Sequence, residues 1–439
     1  MTSSNQSLLQ RSLASVWHPC TQMKQHESLP LVPIRRGSGV WLEDMDGKRY
    51  LDGVSSWWVN LFGHNHPQIK AAIRAQLDEL EHVILAGFTH EPVVQLSERL
   101  SALTGLGHSF YASDGASATE IALKMSFHYW RNRGQTSKTR FLSLQNGYHG
   151  ETLGALSVTD VSLFKDTYAP LLRAGATLPS PDWRLAEPGE TAEQYALRCA
   201  DAAADYLAQH HAETAAIIVE PLIQCATGMA MYHPVYLQRL RALCDQYQLH
   251  LIADEIAVGF GRTGTMFAVE QADIRPDFIC LSKGITGGYL PLSVVQTTDD
   301  IYAAFYDDKV ARGFLHSHSY TGNALSCSAA LATLDIFDQQ DVLAQNRRKA
   351  DYLNQSLAAL PDWQALPLKN LRNTGMIWAF EVETTHSDFQ QRFYQAALQA
   401  GLLLRPVGNT VYFMPPYVIT ESEIDWMLQQ TLSSLKASL

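Results

Sequence analysis

Charge is scarce in this chain. Asp, Glu, Lys and Arg make up 18% of its 439 residues, against a usual ~25%. What charge there is leans acidic, with 33 Lys and Arg against 44 Asp and Glu and a formal net charge of −11. A chain of pI about 5.8 has no basic surplus to follow a phosphate backbone, so nucleic acid is not an expected partner. No apolar run approaches the ~18 residues that a membrane helix requires. Residues 1–10 are polar and lack a basic-then-apolar pattern, which predicts no secretory leader. None of the six cysteines forms a CxxC, and no histidine cluster accompanies them at zinc spacing. That predicts free thiols, no metal centre and a reducing, cytoplasmic setting. Repeats and low-complexity tracts are absent, which excludes fibrous and disordered classes.

What is present is a chain of 46% hydrophobic residues, long enough to bury a large core without staples. Residues 40–51 read as a hairpin turning at Asp46-Gly47. Residues 67–81 read as a helix with Ile69, Ile73, Leu77 and Leu80 on one face, and residues 92–103 as a second helix stopping near Gly105. Beyond these, short apolar strands at 109–112, 141–144, 216–219, 251–253, 278–281 and 292–296 alternate with helical patterns such as 117–130 and 236–247. Such alternation predicts an α/β fold with a mostly parallel sheet flanked by helices. A helix over 323–337 leads out of that unit. Strands near 377–382 and 411–414, and a capping box of Thr420 with Glu423, mark a smaller α+β unit. The expected division is 1–58 as the N-terminal segment of the small domain, 59–330 as the large domain and 331–439 as the remainder of the small one.

Sites in open parallel sheets collect at the carboxyl ends of strands. Three apolar strands end there in ionisable residues: AIIVE at Glu220, LIADE at Asp254 and Glu255, and FICLSK at Lys283. Taken singly, each is as well explained by an ordinary strand-end charge facing water. Lys283 is followed by Gly284, Gly287 and Gly288, which let backbone turn tightly near a ligand. A desolvated lysine at such a place can form a Schiff base with a carbonyl. Asp254, one crossover earlier, is the carboxylate that a protonated pyridine nitrogen requires. Ser113–Glu120 (SDGASATE) puts Gly115 and Ala116 at a helix start, which suits a phosphate, though a plain N-cap explains it equally. NGYHGE offers Tyr148 for stacking and His149 for a local hydrogen bond; a packed turn is the alternative. Arg405, with Tyr412 nearby in sequence, suits bidentate carboxylate binding, with a structural ion pair as the alternative. Trp57 and Trp58 read as core or pocket in equal measure.

Taken together, GFGRTG after LIADEIA, then SKGITGG and HSHSYTGN, resemble the class III aminotransferases of pyridoxal phosphate (PLP) fold type I. WHPC, DGVSSWWVNLFGHNHP, ALKMSFHYW, NGYHG and YFMPPYVI are most similar to the adenosylmethionine–8-amino-7-oxononanoate branch. The resemblance runs from Trp17 to about Ile419. It implies ping-pong transamination of 8-amino-7-oxononanoate by S-adenosylmethionine in biotin synthesis. It implies a homodimer with its active site at the interface, and pyridoxal 5′-phosphate as cofactor. By position it implies that Lys283 carries the cofactor, that Asp254 faces the ring nitrogen, and that Ile256 and Tyr148 lie against the ring faces. Lys283, Asp254 and Tyr148 are the implied catalytic set. Gly115, Ala116, His318 and Ser319 are implied at the phosphate, the last two from a neighbouring subunit. Arg405 is implied at the substrate carboxylate, with Trp57, Trp58, Cys20, Arg262, Gly288 and Tyr412 as further substrate positions. Some positions depart from the pattern. Cys20 stands where a Tyr is usual, Ser319 for Thr, and Glu151 for Asp. Ala257 replaces a Gln common in the wider class, as the narrow branch also does. Cys20 keeps open a lysine, ω-amine or diamine donor. A PLP-binding protein without turnover is the other alternative, opposed by the retained Lys283, Asp254 and Arg405.

Overall fold

A computed structural model describes residues 4–173 and 175–439. Contacts divide the chain into two compact units, one made of residues 1–67 and 346–439, the other of residues 68–345. The sequence expectation placed these divisions at 58/59 and 330/331. The helix Ala324–Gln340 lies inside the second unit, where it packs on the helix Glu91–Thr104.

The second unit is built on a seven-stranded sheet. Its strands are β1 (His108–Ala112), β2 (Arg140–Leu144), β3 (Ala176–Leu178), β4 (Thr214–Val219), β5 (His250–Asp254), β6 (Phe278–Leu281) and β7 (Ser293–Thr297). The order across the sheet is β1-β7-β6-β5-β4-β2-β3. β7 runs antiparallel to both neighbours, and the remaining pairs are parallel. The sheet is therefore mostly parallel, as the alternating pattern predicts. Every residue of β4, β5, β6 and β7 is buried. Burial on both faces explains why these strands read as continuous apolar runs rather than alternating ones. Parallel alignment then brings the carboxyl ends of β1, β2, β4, β5 and β6 to one edge.

A buried histidine in this unit titrates against the fold. His250 opens β5, is buried, and stacks on Trp130 with ring centres 4.6 Å apart. Its Nδ1 lies 2.8 Å from Ser126 Oγ. Burial, with help from Lys138, pushes its pKa down to about 3. The unfolded chain binds a proton at this ring below about pH 6.5, and the folded chain refuses it. Stability from this residue is therefore present above that pH. It is lost as pH falls toward 3, by up to about 1.4 kcal/mol per pH unit. The melting-temperature gap between wild type and His250→Asn should narrow between pH 7 and pH 5. A gap that stays constant would refute the assignment.

The first unit joins both ends of the chain. A hairpin of Trp41–Asp44 and Arg49–Asp52 carries Ile34–Ser38 on one side and, in parallel, Leu402–Leu403 on the other. A second antiparallel sheet pairs Leu368–Thr374, Ile377–Val382 and Thr410–Phe413. The helix Glu421–Ser438 opens with the expected capping box of Thr420 and Glu423. No helix among the described residues is long and apolar enough to cross a membrane.

Candidate active site

At the β1 end, the helix Gly115–Asn132 starts at once. Asp114 caps it, accepting from Ser117 N and Ser117 Oγ, both at 2.9 Å. The first two residues, Gly115 and Ala116, carry the opening amides. Gly115 has no room for a side chain, because a Cβ there would lie 2.9 Å from Ile256 Cγ2. Gly150 at φ +121° presses on the same helix start, and a Cβ on it would meet Ala116 Cβ at 2.6 Å. Sequence-distant loops after β2 and β5 thus close on this helix N-terminus, leaving space for backbone amides and little else.

At the β5 end, Asp254 is buried with 4% of its surface exposed. Its Oδ1 accepts from Ile256 N at 3.1 Å, and its Oδ2 lies 2.7 Å from His149 Nδ1. His149 is also buried, its backbone tied at N and O by Thr159 Oγ1 and Thr119 Oγ1. Its Nε2 has no hydrogen-bond partner among the described residues. The Nδ1 proton therefore belongs to the bond with Asp254, since a buried Nε2–H without an acceptor costs about 1–3 kcal/mol.

At the β4 end, Glu220 holds the loop after β2. Its Oε2 accepts from Tyr148 N at 2.9 Å and its Oε1 from Cys225 N at 3.1 Å. Burial raises its pKa to about 7, and the charge of Asp254 adds to the rise. Tyr148 Oη donates to Glu151 at 2.9 Å, and its ring meets Phe164 edge-on. Glu255 faces away from this group and accepts from Ala268 N and Val269 N; burial lifts its pKa to about 8.

At the β6 end, Lys283 takes φ +43°, and Ser282 Oγ anchors the preceding residue to Leu292 O. Lys283 keeps part of its surface, yet burial of the ammonium dominates and pushes its pKa down, opposed by Cys225, Asp254 and Glu220. A lysine whose neutral amine is reached more easily is a better nucleophile and base. Gly287 and Gly288 follow at φ +63° and +86°, and Arg262 is buried. His318 and Ser319 lie apart from this set. His318 bonds with Thr321, while the exposed Ser319 gives its carbonyl to His82.

The first unit gathers the other five expected residues. Trp58 Nε1 donates to Tyr412 Oη at 3.1 Å. Arg405 Cζ sits 5.5 Å from the Trp57 ring centre, and Arg405 Nη2 donates to Cys20 O at 3.3 Å. Trp57 is 49% exposed. Ser55, Ser56, Trp57 and Trp58 have φ of 51°, 47°, 72° and 71°, one turn of left-handed helix. For side chains other than glycine that conformation costs roughly 1–2 kcal/mol per residue.

Sequence reasoning missed three features here. These are the His149–Asp254 bond, the Glu220 bonds to the Tyr148 and Cys225 amides, and the handedness of the SSWW turn. NGYHG pointed to the first only as a local hydrogen bond. Glu220, one of the three strand-end groups, bonds to the Tyr148 and Cys225 amides.

A family model, aminotransferase class-III, matches residues 22–435. An adenosylmethionine-8-amino-7-oxononanoate aminotransferase of Helicobacter pylori is 48% identical over 417 residues, 94% of each chain. The enzyme of the same name from Anoxybacillus flavithermus is 40% identical, over 96% of this chain and 94% of its own. The crystal structure of the Methanocaldococcus jannaschii enzyme of that name superposes with a TM-score of 0.90 at 35% identity, covering 98% of each chain. A PLP-bound amine transaminase from an uncultivated Pseudomonas species follows at 0.89 and 32%, over 96% of this chain and 98% of its own.

Proposed function

The chain belongs to the class III aminotransferases, and from that premise we propose that it transfers an amino group from S-adenosylmethionine to 8-amino-7-oxononanoate, giving 7,8-diaminononanoate for biotin synthesis. The observation that carries the substrate assignment is 48% identity spread over 94% of both chains.

The cofactor of the family is pyridoxal 5′-phosphate, and the residues present fit it. A carboxylate, a lysine of lowered pKa and a helix start opened by a glycine share one sheet edge. In the proposed assignment Lys283 would hold the cofactor covalently, and Asp254 would serve its ring nitrogen. Ile256 and Tyr148 would hold the ring, and Gly115 and Ala116 the phosphate. Bound there, the cofactor would supply the electron sink that transamination requires. Lys283 Nζ takes the proton from the amino-bearing carbon and returns it. Asp254 keeps positive charge on the ring nitrogen, with its own orientation set by His149. Glu220 fixes Tyr148 through the backbone. Arg405 binds the keto-acid carboxylate, with Trp57, Trp58, Tyr412, Cys20, Arg262 and Gly288 as the further substrate contacts.

The second unit leaves Ile84, Phe88, Leu163, Leu315 and Tyr320 more than half exposed, apolar surface that a covering partner would bury. With Ser319 exposed as well, this supports a homodimer in which His318 and Ser319 serve the neighbour's phosphate. The six cysteines carry no disulfide, which supports a cytoplasmic setting.

One experiment tests the reading. Purified holoenzyme is given S-adenosylmethionine, lysine or a simple ω-amine separately, and its visible cofactor absorbance is followed. S-adenosylmethionine should bleach it and 8-amino-7-oxononanoate restore it, in protein sedimenting at twice the 48.9 kDa chain mass. Bleaching by lysine or the ω-amine alone would reassign the donor and make Cys20 the first residue to examine.

A further inference from the structure

We propose that Asp52 is a positioning residue for carboxylate recognition. Bonded to His64, it holds Ser55–Trp58 in its left-handed turn and thereby sets Trp57 against Arg405. The proposal rests on the reading of Arg405 given above.

Local preference does not explain the turn. None of its four residues is Gly, Asn or Asp, the types that visit this region readily. Such a conformation persists only where its surroundings over-determine it. The surroundings here are specific. Asp52 is completely buried, and its Oδ1 accepts from Ser56 N at 2.9 Å. Its Oδ2 takes Ser56 Oγ at 2.6 Å and His64 Nε2 at 3.0 Å. A carboxylate offers only acceptors, so each of these bonds runs toward Asp52. His64 Nδ1 lies 3.2 Å from Asn60 Nδ2, which fits an imidazole that donates from Nε2 and accepts at Nδ1. Turning the segment right-handed would carry both Ser56 donors away and strand a buried charge, a cost larger than the backbone strain relieved.

The two ends of the turn are fixed as well. Ser55 Oγ donates to Met414 O at 2.7 Å, and Trp58 Nε1 to Tyr412 Oη at 3.1 Å. Trp57 is the half-exposed member between them, and its ring faces the Arg405 guanidinium at 5.5 Å. Cys20 O accepts from the same guanidinium. An aromatic ring and a carbonyl thus constrain Arg405 while leaving guanidinium N–H groups for an incoming carboxylate. Asp52 touches neither Arg405 nor the substrate; its effect passes through the handedness of one turn.

The test is a double-mutant cycle read in half-reactions. Asp52→Asn and Ser56→Ala are each made in the wild type and in Arg405→Ala. The concentration dependence of the 8-amino-7-oxononanoate half-reaction is compared with the rate for 1-phenylethylamine, an amine without a carboxylate. Asp52→Asn should raise the half-saturating keto-acid concentration about tenfold more than it slows the amine reaction. In the Arg405→Ala background that extra factor should vanish, because the interaction it acts through is gone. Ser56→Ala, which removes one donor, should follow the same pattern with a smaller factor if Asp52→Asn fails to fold. Equal losses in both half-reactions, or a full factor persisting without Arg405, would overturn the proposal and leave Asp52 a structural residue. Unchanged keto-acid dependence in Arg405→Ala alone is a different signature. It would strike the reading of Arg405 itself, and the proposal with it.

Discussion

Replacing Lys283 with alanine should abolish turnover, by at least about 10⁴-fold, because the proposed reading makes this residue both the covalent attachment and the proton carrier. The structure gives this lysine what both tasks need. Burial favours the neutral amine, and φ +43° with the Ser282–Leu292 bond fixes where the side chain leaves the backbone. Lys283→Arg separates charge from chemistry. It restores the positive charge with a group that stays protonated at any working pH, so it should be as inactive as the alanine variant. The fold should survive both changes. A lysine of depressed pKa is destabilising at neutral pH, since the unfolded chain carries its charge more easily than the folded one. The apo alanine variant should therefore melt no lower than apo wild type at pH 7. Steady-state kcat and thermal melts together decide the matter. Turnover within tenfold of wild type in either variant would remove Lys283 from the mechanism.

What the chain alone revealed follows from which interactions are local. Glu220, Asp254 and Lys283 were legible as strand-end groups because each closes a continuous apolar run. Such runs are conspicuous when a strand is buried on both faces. The same burial hid the direction of β7. Residues 292–296 look alike whether the strand runs parallel or antiparallel, and the structure makes it antiparallel to both neighbours. β3, with three residues, is too short to carry a period and was passed over entirely. The SSWW turn escaped for another reason. Its handedness comes from a buried carboxylate and a histidine, not from its own residue types. His149 and Asp254 are 105 positions apart; only the folded sheet edge puts a 2.7 Å bond between them. The resemblance implied roles that no local rule reaches, among them those of His318 and Ser319. The structure then showed the contacts of Arg405 with Trp57 and Cys20.

Asp254→Asn should cost about 10²–10³ in kcat, the range seen when one preorganised electrostatic group is removed from developing charge. The size follows from burial. With 4% of its surface exposed, Asp254 has almost no water to share its charge, so whatever cation it faces feels nearly all of it. Asparagine keeps the shape and can still accept from Ile256 N, but it carries no charge with which to hold a proton on a ring nitrogen. His149 offers the control. It donates through Nδ1 to Asp254, and its Nε2 has no partner among the described residues. It orients the carboxylate without neutralising it. Removing it with His149→Ala should cost less, about 10–100-fold, as outer-shell partners of a charged centre usually do. Because His149 acts only through Asp254, the double variant should be no slower than Asp254→Asn alone. The half-reaction with S-adenosylmethionine, timed by stopped flow, measures all three rates. If His149→Ala slows the Asp254→Asn enzyme by its full factor, His149 has a path to the reaction of its own. If Asp254→Asn costs less than tenfold, the charge at the β5 end is not what drives the chemistry.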